Sequence, residues 1–354
     1  MSAGLRRLSW PLIAIAALLL VDLFFGHAFF ALRMQDGHLY GNLVDILRFG
    51  APPMLVALGM TIVIATGGID LSVGALVAIS GATACVLISD LSNQNSVAGV
   101  LGAITVALAL TTALGVWNGM LVAVVGIQPI VATLILMVAG RGIAQLITGG
   151  QIVTINSSPY NVIGNGYWLA LPFALYLVAA MYGLTAALSR RTALGLLIES
   201  VGGNAEASRL AGVRSRSLII LAYAFSGLCS GIAGLIVSSG IKGADGNNAG
   251  LWFELDAILA VVIGGTALRG GRYFLAGTLV GALLIQTLTT TIYSIGVPPE
   301  TTLLFKALVV TAVCLAQSPA FRAKLVQPRR RRVSTGDRPP PGAQPPERAV
   351  DVPA

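Results

Sequence analysis

Apolar residues run along this chain in long blocks separated by short polar connections. Ten blocks stand out, at residues 11–30, 49–66, 71–89, 97–125, 129–147, 168–189, 218–241, 251–268, 273–292 and 302–317. A helix needs about 20 residues to cross a hydrocarbon core of about 30 Å, so each block predicts a membrane-spanning helix. The eighth is the weakest. Its charge-free part, residues 257–268, would rise only about 18 Å as a helix, so it spans only if Glu254 and Asp256 lie at or below the interface. The fold predicted is all-α, a polytopic membrane protein of about ten transmembrane helices.

Between the sixth and seventh blocks lies the one sizeable polar, helix-forming insertion, GLLIESVGGNAEASRLAG at 195–212. Asn204 is placed to cap a short helix starting at Ala205, Glu206 falls in its first turn where the helix dipole favours an acid, and Gly212 can close it in the left-handed conformation. A compact knob facing water is expected, a docking surface for a soluble partner. The expected organisation is a cytoplasmic N-terminus at 1–10, a membrane domain at 11–321 with this loop at 190–217, and a basic, proline-rich tail at 322–354 that cannot bury apolar surface and is predicted disordered.

Composition agrees and excludes other classes. At 56% hydrophobic and 10% charged residues, with mean hydropathy +0.85, the chain is far from a soluble domain, which carries about 25% charged residues. The net charge of +8 is explained by topology rather than by nucleic acid. Arg6, Arg7, the five arginines from Arg190 to Arg216, Arg269, Arg272 and the tail all fall on one side if ten helices cross, whereas the connections at 89–96, 149–167 and 294–299 hold no Lys or Arg. That side is the cytoplasm, so both termini are expected inside, with the tail arginines against lipid headgroups. Arg33, Arg48 and Lys242 break the pattern. Cys85, Cys229 and Cys314 each sit inside an apolar block, which argues against a disulfide framework or a metal site. The first block lacks a convincing cleavage site and is read as a retained span.

Ten spans divide into two fives, and because five is odd the second half enters the membrane inverted. TGGIDLSVGALVAISG at 66–81 and FELDAILAVVIGG at 253–265 occupy matching places, each a polar, acid-bearing break feeding an apolar helix. Interrupted helices at corresponding positions point to a transport path. The pairs Gly115 and Gly119, Gly227 and Gly231, and Gly277 and Gly281 predict close helix crossings.

Chemistry is sparse. No nucleophile–base set or metal spacing is present, His27 and His38 read as interfacial residues, and no GxxxxGK[ST] phosphate loop occurs. The chain is therefore read as a transporter subunit without an ATPase site or cofactor. Mid-span ionisable residues are few: Asp22, Arg141, which should tie carbonyls or an acid of another helix, and Lys306, which can snorkel from near a helix end. Asp70 and Asp256 lie at helix starts, where capping competes with a role in the path. Driving energy is expected to enter from outside, at the knob.

GGIDLSVGALVAISG at 67–81, GGNAEASRLAGV at 202–213 and ELDAILAVVIGGTALRGG at 254–271, in that order, resemble the permease subunit of bacterial monosaccharide ABC importers of the ribose type. MQDGHLYGNLVDIL at 34–47, residues 116–154, KGADGNNAGLWFELDAILAVVIGG at 242–265 and the VPPE turn at 297–300 further resemble galactofuranose importer permeases. The resemblance implies an inner-membrane subunit paired with itself or a paralogous permease, an ATPase subunit that binds the ATP, and a periplasmic sugar-binding protein. It implies a coupling helix at 203–211, with Gly203, Asn204, Glu206 and Arg209 at the ATPase contact. Residues 33–48, the inverted counterpart outside, are expected to receive the binding protein. A neutral sugar needs hydroxyl partners without a counter-charge, so Asp70, Ser72, Asn118, Gln145, Asn247, Asn248 and Asp256 are the candidate path residues. Rival readings are a branched-chain amino acid ABC permease and an ion-coupled carrier.

Overall fold

A computed structural model describes residues 3–25, 29–35, 37–296, 298 and 301–317. His27, Glu300 and the tail from 318 onward lie outside them. The described residues up to Val313 form one compact unit. Each of the ten apolar blocks contains a helix: α1 Ala3–Phe25, α2 Asn42–Ala65, α3 Val73–Ser89, α4 Val97–Met120 continued by a π-helical turn at Leu121–Val125, α5 Pro129–Ile147, α7 Phe173–Arg191, α10 Ser215–Ile241, α11 Phe253–Ile263, α12 Leu275–Ser294 and α13 Thr302–Gln317. Three shorter helices stand between them: α6 Ser158–Asn165, α8 Leu194–Gly203 and α9 Ala205–Leu210. Six of the described helices are long and apolar enough to cross a membrane.

The boundaries differ from the expected ones where polar residues are used inside a helix. The second block begins seven residues earlier, at Asn42, and so carries Arg48 within α2. There the Arg48 guanidinium donates to the Gly164 carbonyl at 3.2 Å and to Asn165 Oδ1, tying α2 to α6. This accounts for one of the three cations that break the charge pattern. The sixth block loses its first five residues, 168–172, to a hairpin of β4 Tyr167–Trp168 and β5 Leu171–Pro172. The eighth is helical only over the 11 residues of α11, about 16 Å of rise. That is about half a hydrocarbon core.

The core is built on α3, packed between α4, α5 and α10, with α2 beside α10 and α12. From Val73 to Cys85 every residue of α3 is buried. Such burial on all sides is the mark of a helix enclosed by other helices. All three small-residue pairs lie at crossings. A Cβ at Gly115 or Gly227 would collide with the Tyr223 or Thr111 carbonyl where α4 meets α10, and one at Gly281 with the Ala260 carbonyl where α12 meets α11. We therefore expect Gly227→Leu to force α4 and α10 apart at a cost of about 1–3 kcal/mol, read as a lower melting temperature in detergent. Gly183→Leu, where nothing lies within 4 Å, should leave it unchanged.

Two hairpins close one end. The β1 Arg33–Gln35 and β2 His38–Tyr40 hairpin turns through Gly37 at φ +76°, and Leu39 N–H donates to the Ala170 carbonyl of the second hairpin at 3.3 Å. His38 stacks on the Tyr167 ring at 4.7 Å between centroids. The stretch 33–48 is thus half hairpin and half the start of α2, not one loop. At the same end β3 Val153–Thr154 pairs antiparallel with β6 Gly243–Ala244.

Candidate functional site

The polar insertion folds as two helices. In α8, Gly195, Ile198 and Val201 are buried while Leu196 is exposed, so the apolar face of GLLIESVGG anchors the insertion to the body. The chain then turns at Asn204, whose Oδ1 accepts from Ala207 N–H at 2.9 Å and starts α9. Gly212 closes it at φ +87°. The helix is shorter than the expected 203–211, because Gly203 is the last residue of α8. On α9, Glu206 and Arg209 pair at 2.6 Å and are both largely exposed. Their hydrogen bond lowers the Glu206 carboxyl pKa and raises that of Arg209. Leu210 is 75% exposed on this polar tip. It was not singled out from sequence, although a lone leucine on a water-facing turn is the available signal.

Within α8, two residues before Asn204, Gly202 is wedged into the body. A Cβ there would overlap the Ala65 carbonyl and Gly271 N–H, which are hydrogen-bonded to each other at 2.9 Å. A Cβ on Gly270, at φ +83°, would meet the Gly202 carbonyl and Gly67. Ala65 and Gly67 lie at the break between α2 and α3, Gly270 and Gly271 in the connection between α11 and α12. At Gly202 the knob therefore bears, backbone on backbone, on the α2–α3 break and on the α11–α12 connection.

The two breaks meet. A Cβ at Gly74 in the first turn of α3 would collide with the Glu254 carboxylate and the Gly250 carbonyl at the start of α11. Helix starts from the two halves face each other inside the bundle, as in transport sites formed by discontinuous helices.

The candidate path residues fall into three groups. Asp70, Ser72 and Asn118 come together in the core and are fully buried. Asp70 Oδ1 accepts from Ser72 N–H at 3.0 Å and Ser72 Oγ at 2.6 Å, its Oδ2 accepts from Ser226 Oγ at 2.8 Å, and Asn118 Nδ2 donates to Ser72 Oγ at 2.9 Å. Asp70 thus organises the turn into α3, a form of the capping role open to it. Ser226, on the distant helix α10, was not foreseen.

Gln145, Asn247 and Asn248 form a second, exposed group beyond the end of α10. Gln145 Nε2 donates to Asn247 Oδ1 at 2.7 Å, and Asn248 Nδ2 to Asp245 Oδ2 at 2.8 Å. The Asn248 amide leads the interactions that lower the Asp245 pKa. Arg141 holds the same loop, donating to the Ala249 and Gly246 carbonyls at 2.6 and 3.4 Å. This is the carbonyl-tying role expected of it. Asp22 is also accounted for, accepting from Thr291 Oγ1 at 2.7 Å and Ser294 Oγ at 3.1 Å.

Asp256 stands apart. It does not cap α11, whose start carries no side-chain cap, and instead pairs with Lys306 Nζ at 2.8 Å. Lys306 accordingly does not snorkel away from the body. A nearby acid, two helices away in sequence, competes better for the ammonium than distant water.

This architecture, an apolar helical body with interrupted helices meeting at its centre and a polar knob on one end, defines a multi-pass membrane permease. The chain belongs to the family described as branched-chain amino acid transport system / permease component, which it matches over residues 42–314. It is 51% identical to the galactofuranose transporter permease protein YtfT of Escherichia coli over 323 residues, 89% of this chain and 92% of that one. It is 39% identical to the fructose import permease protein FruF of Bifidobacterium longum over 92% of both chains. With the ribose import permease protein RbsC of Haemophilus influenzae it shares 35% over 80% of this chain and 87% of the relative. These relatives are transport subunits, and with the six apolar helices they mark an inner-membrane protein. No solved structure matches the chain.

Proposed function

We propose that this chain is the membrane subunit of an ATP-driven importer for a monosaccharide, galactofuranose before ribose or fructose. The reading is carried by 51% identity across nearly the whole length of a galactofuranose permease. The knob α8–α9 receives an ATPase subunit in the cytoplasm, where both termini also lie. A periplasmic sugar-binding protein delivers substrate to the hairpin end at 33–48. A second permease, a copy or a paralogue, completes the pathway. Closure of the ATPase subunits pushes α9, Gly202 passes the displacement to both interrupted helices, and the bundles rock between outward and inward openings.

The experiment is uptake into proteoliposomes holding this chain, its ATPase, its binding protein and any paralogous permease. ATP-dependent import of galactofuranose, fructose or ribose supports the reading. Import of leucine instead supports the amino acid permease that the family description favours. Transport without an ATPase would mean a secondary carrier.

In the same system, Glu206→Ala with Arg209→Ala should abolish coupling of hydrolysis to uptake while leaving the melting temperature unchanged. An exposed i,i+3 pair adds little stability. Unimpaired uptake by this double variant would remove α9 as the docking element.

A further inference from the structure

Helix α11 has two faces. Ala257, Ala260 and Val261 are buried against the body, while Trp252, Leu255, Asp256 and Leu259 repeat at the i, i+3, i+4, i+7 spacing of a second stripe. That stripe lines an open cleft of about 440 Å³, whose other wall, from α13, is Leu303, Lys306, Ala307 and Thr311. The volume falls in the range of about 300–1,000 Å³ typical of small-molecule sites. The Asp256–Lys306 pair crosses the cleft at 2.8 Å, each side chain 16% exposed.

Leu255, Leu259, Leu303 and Ala307 would suit lipid, but the two charges would not. Charged side chains at membrane depth face the bundle interior or a water-filled cavity, because hydrocarbon offers them no solvation. Trp252 adds a second observation. It is held at φ +68°, a conformation rarely taken by a bulky residue, and the residue is 45% exposed and lines this cleft. A flat aromatic surface beside an acid, an ammonium and a hydroxyl suits a small ligand with one C–H face and a rim of hydroxyls.

We propose that this cleft is a monosaccharide site on the translocation path, with the Trp252 ring against the apolar face of the sugar and Asp256, Lys306 and Thr311 bonded to its hydroxyls. The proposal rests on the sugar-import reading above and deepens it. In it the ion pair holds the cleft ready while empty, and sugar hydroxyls share its donors and acceptors when filled.

The test uses the complete transporter in proteoliposomes. In a Cys314→Ser background, Thr311→Cys is treated with a charged, water-soluble methanethiosulfonate reagent, with and without the sugar that the wild type imports. Reaction slowed by sugar is expected. A thiol that reacts unprotected would mean a wet cleft that holds no sugar, and an unreactive one a lipid-facing groove; either overturns the proposal. Independently, Trp252→Leu should lower the maximal uptake rate about three- to tenfold, the range of one aromatic contact, while the solute-binding protein alone binds sugar as before. Trp252→Phe should recover part of that rate. Equal rates for Trp252→Leu and wild type would also overturn it. A wild-type transporter that carries leucine and no sugar refutes the parent reading, and the sugar site with it.

Discussion

Replacing Gly202 with valine is expected to reduce ATP-driven uptake at least about tenfold, among the largest effects available from one uncharged substitution. A Cβ at this position would lie on top of the Ala65 carbonyl and Gly271 N–H and break the bond between them. Overpacking costs about 1–3 kcal/mol, and a buried donor or acceptor left without a partner about 1–3 kcal/mol more. Because the contact joins the knob to both interrupted helices, the loss falls on transmission. ATP hydrolysis in the Gly202→Val complex should persist while sugar uptake fails. The control is Gly183→Ala on α7, where nothing lies within 4 Å of an added Cβ and uptake should stay near wild type. If Gly202→Val transports normally, the backbone wedge does not carry the stroke.

Asp70→Ala should be the most destabilising change in the core. It strips the acceptor from Ser72 N–H, Ser72 Oγ and Ser226 Oγ at once, in a site without water access. Rotation of the two hydroxyls recovers part of the loss, so about 2–5 kcal/mol is expected, seen as a fall of several degrees in the detergent melting temperature. Asp70→Asn keeps one acceptor oxygen and the shape of the side chain, and should lose less. A melting temperature for Asp70→Ala equal to that of the wild type would show that the turn into α3 is held by packing alone.

Much of this was legible along the chain because the bilayer imposes a one-dimensional rule. A backbone in hydrocarbon satisfies its own polar groups within a helix, so block length and loop charge reveal helices directly. The cap at Asn204 and the left-handed Gly212 were readable for the same reason, since both depend on neighbours within three residues. The candidate path residues were legible as types and positions but not as groups. Asp70 and Ser72 are adjacent in sequence, yet Asn118 and Ser226 reach them from other helices. Arg48, noted only as an exception to the charge pattern, and Lys306, read as able to snorkel, found their partners for one physical reason. A charge near a helix end satisfies itself with the nearest partner in space, and Asn165 and Asp256 are remote in sequence.

The order of apolar blocks and the two interrupted helices with their glycines were determined by sequence alone, because each follows from local backbone satisfaction. Tertiary structure decided which breaks touch, that Gly202 bears on both, and that Trp252, Asp256 and Lys306 share a cleft. Those outcomes depend on crossings between helices tens to hundreds of residues apart, set by shape complementarity at small residues, which no local pattern encodes.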